Sequence, residues 1–186
     1  MSDSITYDKD FKDLKTLPQG EYENCTFTNC ALANVDLSNF SFTECEFNNS
    51  DLSMAKVSST AFKDVVFNNC KLLGLRFDEC NDFLLSFKFT GCVLNFSSFY
   101  KLNIKNTIFK DCKLEDVEFI ETNLTKSSFN NCDLERAVFE NSILEKVDFR
   151  TSHNFSFNPE FNRITKAKFS INGLAGLLGK YDIIIE

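Results

Sequence analysis

Residues 87–151 read FKFT GCVLNFSSFY KLNIKNTIFK DCKLEDVEFI ETNLTKSSFN NCDLERAVFE NSILEKVDFR T, and every fifth residue from Phe89 is apolar. The centres are Phe89, Leu94, Phe99, Ile104, Phe109, Leu114, Phe119, Leu124, Phe129, Leu134, Phe139, Leu144 and Phe149, with Phe alternating with Leu or Ile. Two residues before each centre runs a second series, mostly small: Phe87, Cys92, Ser97, Leu102, Thr107, Cys112, Val117, Thr122, Ser127, Cys132, Ala137, Ser142 and Val147. The positions between are mostly polar or charged. A period of five suits neither an isolated helix nor an isolated strand. It suits a solenoid, in which each repeat buries its apolar residues only against its neighbours.

An earlier run, Gly20–Glu79, obeys the same rule in another phase, with centres Tyr22, Phe27, Leu32, Leu37, Phe42, Phe47, Leu52, Val57, Phe62, Phe67, Leu72 and Phe77. These centres recur in groups of four pentads, and Cys92, Cys112 and Cys132 recur at 20 residues. Side chains 20 apart in the sequence therefore stack on successive coils, about 4.8 Å apart as neighbouring strands are. The coils are four-sided, and like residues stacked in ladders fill the interior at close-packed density.

Pentads such as Ala137-Val138-Phe139-Glu140-Asn141 and Cys132-Asp133-Leu134-Glu135-Arg136 resemble those of the pentapeptide-repeat family, A-(D/N)-L-x-x. The resemblance covers residues of about 20 to 170. It implies an all-β solenoid, a right-handed quadrilateral β-helix of about seven coils, with each centre and the small residue two before it pointing inward.

A chain of 186 residues is expected to be one domain, and the repeat uses nearly all of it. The repeat also explains 22 Phe with no Trp, since most of the Phe are centres. A net charge of −7 argues against nucleic acid or an anionic membrane as partner. No apolar run approaches a membrane span and no signal-peptide pattern opens the chain, so the expected location is cytoplasmic. The eight cysteines (Cys25, Cys30, Cys45, Cys70, Cys80, Cys92, Cys112, Cys132) all fall on the small inward position. There a free thiol acts as a buried apolar filler. With no CxxC and one histidine, His153, no metal site or cofactor is expected.

Outside the repeat, residues 1–19 are expected to cap the N-terminal end, with Pro18-Gln19-Gly20 turning into the first coil. Between Phe77 and Phe89 twelve residues stand where ten are expected, a phase slip. Leu84 fits the second phase as a centre, which places the bulge near Asn81–Phe83; it reads either as a tolerated corner insertion or as a loop that contacts a partner. After Thr151 the repeat degrades, but Phe169 is back in register. From residue 172 to 186 the pattern changes type. Leu174, Leu177, Leu178 and Tyr181 have the spacing of one helix face, with Asn172 and Gly179 as candidate caps. Ile183, Ile184 and Ile185 form a β-branched run read as a terminal strand. So apolar an end usually marks an interface, and these seven residues are the expected contact of a two-fold homodimer.

No catalytic constellation is legible. The cysteines read as buried, and the acids sit on a convex surface with no cleft to separate their pKa values. What remains is a surface. In the second run one side carries Lys113, Glu115, Asp116, Asp133, Glu135 and Arg136, and the next carries Lys101, Glu118, Glu121 and Glu140, each net −2. The following side has Lys105, Lys126, Lys146 and Glu145, net +2. The candidate partner-binding residues are therefore Glu115, Asp116, Glu118, Glu121, Asp133, Glu135 and Glu140. In repeat type, length and C-terminal elements the chain resembles the Qnr-type and mycobacterial fluoroquinolone-resistance members of the family. That resemblance implies an acidic, dimeric DNA mimic that binds DNA gyrase or topoisomerase IV. The alternative is a scaffold for some other protein partner.

Overall fold

The structure is a computed structural model that describes residues 5–184, and it is a parallel β-solenoid of about seven turns with little helix. The first half supplies paired short strands, β1 (Ile5–Tyr7), β2 (Asp10–Lys12), β3 (Glu21–Glu23), β4 (Thr26–Thr28), β5 (Ser41–Thr43), β6 (Glu46–Asn48), β7 (Ala61–Lys63) and β8 (Val65–Asn68). The second half supplies β9 (Phe87–Thr90), β10 (Ile108–Lys110), β11 (Glu118–Ile120), β12 (Ser128–Asn130) and β13 (Val138–Glu140). They stack in parallel as β1-β3-β5-β7, as the seven-stranded β2-β4-β6-β8-β9-β10-β12, and as β11-β13.

Every centre of the two runs, Tyr22 to Phe77 and Phe89 to Phe149, is buried, none more than 4% exposed. The long sheet pairs Phe27 with Phe47, Phe47 with Phe67, Phe67 with Phe89, Phe89 with Phe109 and Phe109 with Phe129. With Phe11, Phe149 and Phe169 this makes one column of nine rings, neighbouring centroids 4.6–5.4 Å apart and planes within 14° of parallel. Offset stacking is a favoured aromatic geometry. Here it repeats at the spacing that the backbone ladder already imposes.

The polar pentad positions have local work too. Among the described residues twenty-seven non-glycine positions have positive φ, most of them two residues after a centre, and Asn or Asp supplies sixteen of them. Those residue types tolerate the left-handed region best after glycine. At most Leu, Ile and Val centres the chain turns tightly: the Val35 amide donates to the Leu32 carbonyl at 3.2 Å and the Ser127 amide to that of Leu124 at 2.9 Å. With φ of 61° at Asn34 and 64° at Lys126, these are type II turns. Most Phe centres lie instead in the three-residue strands. The small inward residues reach across coils: Thr60 donates to the Leu37 carbonyl at 2.7 Å and Thr122 to that of Phe99 at 2.8 Å. At these two inward positions the buried hydroxyl is therefore satisfied rather than orphaned.

Three sequence expectations change. Residues 5–12, read as lying outside the repeat, form strands β1 and β2, in parallel register with β3 and β4 at an offset of 16; the ladder extends over this end because each strand edge needs a partner. Leu84, read as a centre, is 65% exposed with φ of 59°. The inward place beside Phe62 and Phe77 is filled by Phe87, whose ring lies 5.7 Å from one and 5.0 Å from the other. The two extra residues let Phe87 turn inward there, and Asn81–Leu84 is pushed out. The C-terminal helix is not one amphipathic α-turn but two 3-10 segments, Asn172–Leu177 and Gly179–Tyr181, the first preceded by Ile171 as its cap. Gly176 allows their close docking, since a Cβ there would come within 2.0 Å of the Phe155 carbonyl oxygen. Ile183 and Ile184 form no strand, and Ile185 lies outside the described residues.

Replacing Phe109 or Phe119 with Ala is expected to cost about 3–5 kcal/mol by opening a cavity in a ring column. Asn130→Ala, on the outer surface, is expected to cost under about 0.5 kcal/mol. Chemical denaturation of the three variants checks this; equal costs would overturn the register.

Candidate functional site: an acidic side of the rod

The seven candidate acids occupy two adjacent sides of the solenoid, because each flanks one of the centres Leu114, Phe119, Leu134 or Phe139 by one or two residues. Stacking at 20 residues decides their neighbours. Asp116 lies next to Arg136, whose Nε is 2.9 Å from Asp116 Oδ1 and whose Nη2 is 3.0 Å from Oδ2. Arg136 also binds Glu115 and Glu135. Its bonds to Asp116 and then to Glu115 raise its already high pKa further. Glu115 in addition accepts from Asn95 Nδ2 at 2.9 Å. Asp133 accepts from Asn154 Nδ2 at 2.8 Å and has His153 Nε2 at 3.9 Å. Glu121 lies 3.6 Å from Lys101 Nζ.

The structure thus gathers Glu115, Asp116 and Glu135 around one guanidinium, with Asp133 close along the same side. Glu118 and Glu140 are exposed and, among the described residues, join no ion pair. The bridging role of Arg136 was missed in the sequence, where it entered only as one positive charge. Its position twenty residues after Asp116 was the signal.

The convex rod offers shallow grooves rather than a cleft. One of about 350 Å³ lies between His153 and the 3-10 segment at Gly173–Gly176. Another, of about 420 Å³, runs from Lys105 to Arg163. Among the described residues no group of His, Cys, Asp or Glu is arranged to hold a metal ion, and no helix is long and apolar enough to cross a membrane. The eight thiols are free, and seven are buried. Desolvation pushes Cys45 up to about 11 and Cys80 higher still. Cys70, Cys92, Cys112 and Cys132 stand in one column. There the Cys92 thiol donates to the Phe67 carbonyl at 3.3 Å and is 1% exposed.

At the C-terminal end Leu177 is buried and Leu178 half-buried, whereas Leu174, Tyr181, Ile183 and Ile184 are exposed, Ile184 to 89%. Ile185 again lies outside the described residues. The exposed four, with Ile171 at 88%, leave an apolar end to the rod.

Two family models match the sequence: pentapeptide repeats (8 copies) over residues 25–64 and a pentapeptide repeat region over residues 84–154. The gap between them contains the phase slip. Among solved structures the chain is similar to a trypsin-treated variant of QnrB1, described as a plasmid-mediated fluoroquinolone resistance protein. The match has a TM-score of 0.65 at 16% identity over 98% of this chain and 100% of that one. Full-length QnrB1 matches with a TM-score of 0.54 at 14% identity, over 97% and 100%. HetL, a pentapeptide repeat protein involved in heterocyst differentiation regulation from the cyanobacterium Nostoc sp. strain PCC 7120, matches with a TM-score of 0.50 at 14% identity, over 92% and 86%. At these identities the likeness is one of fold. No curated protein sequence matches the chain.

In the native state at most Cys80, the half-buried thiol, is expected to react with an alkylating reagent within minutes, and all eight after denaturation. Mass spectrometry of timed samples checks this. Fast labelling of two or more native thiols would overturn the inward assignment.

Proposed function

The chain belongs to the pentapeptide-repeat proteins, and on that premise we propose that it is a non-enzymatic, cytoplasmic protein-binding rod whose acidic side takes the place of DNA on a type II topoisomerase, DNA gyrase or topoisomerase IV. The observation that carries this reading is the acidic side itself. Glu115, Asp116, Glu118, Glu121, Asp133, Glu135 and Glu140 line two adjacent sides of a rigid rod whose fold matches that of a fluoroquinolone resistance protein. A repeating array of carboxylates at strand spacing meets a surface built for phosphates without paying for a deformable partner. Protection of the enzyme from quinolones follows from the same contact.

The fit to DNA requires length. Seven coils at about 4.8 Å make a rod of about 34 Å, and two joined end to end make about 70 Å, the length of about 20 base pairs. The apolar end formed by Leu174, Tyr181, Ile183 and Ile184 supports such a two-fold homodimer. Within each rod the charge is diluted by Arg136, which ties up three of the seven carboxylates. A scaffold for another protein is the second reading, favoured by that dilution, and it needs neither the acidic side nor the dimer.

Purified gyrase and topoisomerase IV are expected to bind the protein at micromolar concentration, with inhibition of supercoiling. Glu118→Lys with Glu140→Lys is expected to weaken binding at least about tenfold, whereas Arg136→Ala, which frees three carboxylates, tightens it about threefold and steepens the salt dependence. Light scattering is expected to give twice the 21.3 kDa chain mass, and Ile184→Asp a monomer with unchanged circular dichroism. Absence of binding by the intact dimer would leave the scaffold reading; a monomeric intact protein would remove the length argument.

A further inference from the structure

The side of the rod built on Tyr22, Phe42 and Phe62 continues, beyond the phase slip, through Ile104, Leu124, Leu144 and Ile164. Its outward charges divide at the slip. Toward the N-terminus Asp8, Glu21, Glu23, Glu44 and Asp64 oppose only Lys63, net −4. Toward the C-terminus Lys105, Lys126, Lys146, Arg163 and Lys166 oppose only Glu145, net +4. Between the two halves stands the displaced bulge, with Phe83 66% and Leu84 65% exposed beside the exposed Asp82.

Among the described residues these charges are compensated within the rod at its two ends, where Asn24 Nδ2 donates to Asp8 Oδ1 at 2.6 Å and Arg163 pairs with Glu145, but not along the lysine column. Among the described residues the one ion pair between side chains of this surface is Arg163–Glu145. Lys126, Lys146 and Lys166 form a column of like charges at successive left-handed corners, with φ of 64°, 60° and 59°, about 4.8 Å apart along the axis. On the other sides such columns are relieved from within, as Arg136 relieves Asp116 and Asn131 donates to Asp111. Like charges directly opposite one another on a sheet are unfavourable. An apolar pair in a polar corner, where Lys63 Nζ lies 6.0 Å from the Phe83 ring centroid, is also unfavourable, and a surface from outside would compensate both features.

That surface is another copy of the same one. A two-fold axis along the strand direction through the bulge reverses the rod, setting each coil against the coil equally far beyond the slip. Phe83 and Leu84 then meet their own mates. At the corner positions Glu44 faces Lys126, Asp8 faces Lys166, Asn24 faces Lys146 and Asp64 faces Asn106. The like-charge oppositions are Asp82 against its own mate beside the dyad, Lys63 against Lys105, beside Asp64, and Glu23 against Glu145, which Arg163 neutralises. We propose that this side is an antiparallel lateral contact between two copies of the chain, with its dyad at Phe83–Leu84. The charge reversal about a single apolar point is what an isologous interface requires; a separate acidic partner would account for the lysines and leave the matching acidic half unexplained. The contact faces away from the side bearing Glu115, Asp133 and Glu135. One side of a rod about 34 Å long is small for a stable interface, so the association is concentration-dependent and salt-sensitive.

Disulfide trapping tests the register, carried out on the full chain with Ile184→Asp so that the apolar end does not contribute. At about 0.1 mM protein under mild oxidation, Leu84→Cys is expected to link to itself at least about tenfold faster than Asn130→Cys on another side. Lys146→Cys alone is not expected to link to itself, while an equal mixture of Asn24→Cys and Lys146→Cys is expected to give the mixed dimer. About 1 M salt, where the Debye length falls to about 3 Å, is expected to reduce both links at least fivefold. Leu84→Cys linking no faster than Asn130→Cys would overturn the proposal, and so would self-linking of Lys146→Cys, which requires parallel rods. Fluorescent polyglutamate is the remaining arm: its capture by the lysine column, with no Leu84→Cys link, would assign the surface to an acidic partner instead and likewise overturn the proposal.

Discussion

One distance governs this molecule: the spacing of about 4.8 Å between parallel strands, at which phenylalanine rings stack. The column from Phe11 to Phe169 holds that spacing along the entire rod, with centroids 4.6–5.4 Å apart. Backbone ladder and side-chain stack therefore reinforce each other instead of competing. A shift by one residue would turn every ring outward. The register is fixed at each coil by the same pair of interactions, and every other position in the pentad is defined relative to it.

A second aromatic column shows how the interior tolerates change. In the first coils it runs Tyr22–Phe42–Phe62, at 5.5 and 5.6 Å. In the later coils it runs Phe77–Phe99–Phe119–Phe139, at 4.7, 5.2 and 5.0 Å, on a different side. The transfer happens at the phase slip, where Phe87 touches Phe62, Phe77 and Phe89. The main column crosses this point unbroken, Phe67 to Phe89 at 5.4 Å. The slip thus joins two cross-sections without dividing the core. The exposed Phe83 and Leu84 are the visible consequence.

Much of this was legible in the sequence because burial in a solenoid is periodic. The period of five marked the inward positions and the period of 20 marked the stacking, so the burial of Tyr22, Leu72, Phe109 and Leu144 was readable from spacing alone. The register across the slip was not. Leu84 and Phe87 both satisfy an apolar pattern, and which one turns inward depends on the shape of the space beside Phe62 and Phe77. The C-terminal leucines have helical spacing, yet tight docking of Gly176 on Phe155 selects a 3-10 path. At the acidic side, composition supplied the charges but not their pairing. Arg136 counts as one charge in a sum and as three ion pairs in space.

If the main column makes the coils a single cooperative unit, amide hydrogen exchange gives the most direct reading of it. Solenoids bind only through neighbouring coils, so a weak junction at residues 81–86 would let the two ends open separately. One protected block is expected, in which amides of β4, β6 and β8 before the slip and of β9, β10 and β12 after it exchange with the same opening free energy, within about 1 kcal/mol. Two blocks with distinct opening free energies, divided between Phe67 and Phe89, would contradict it.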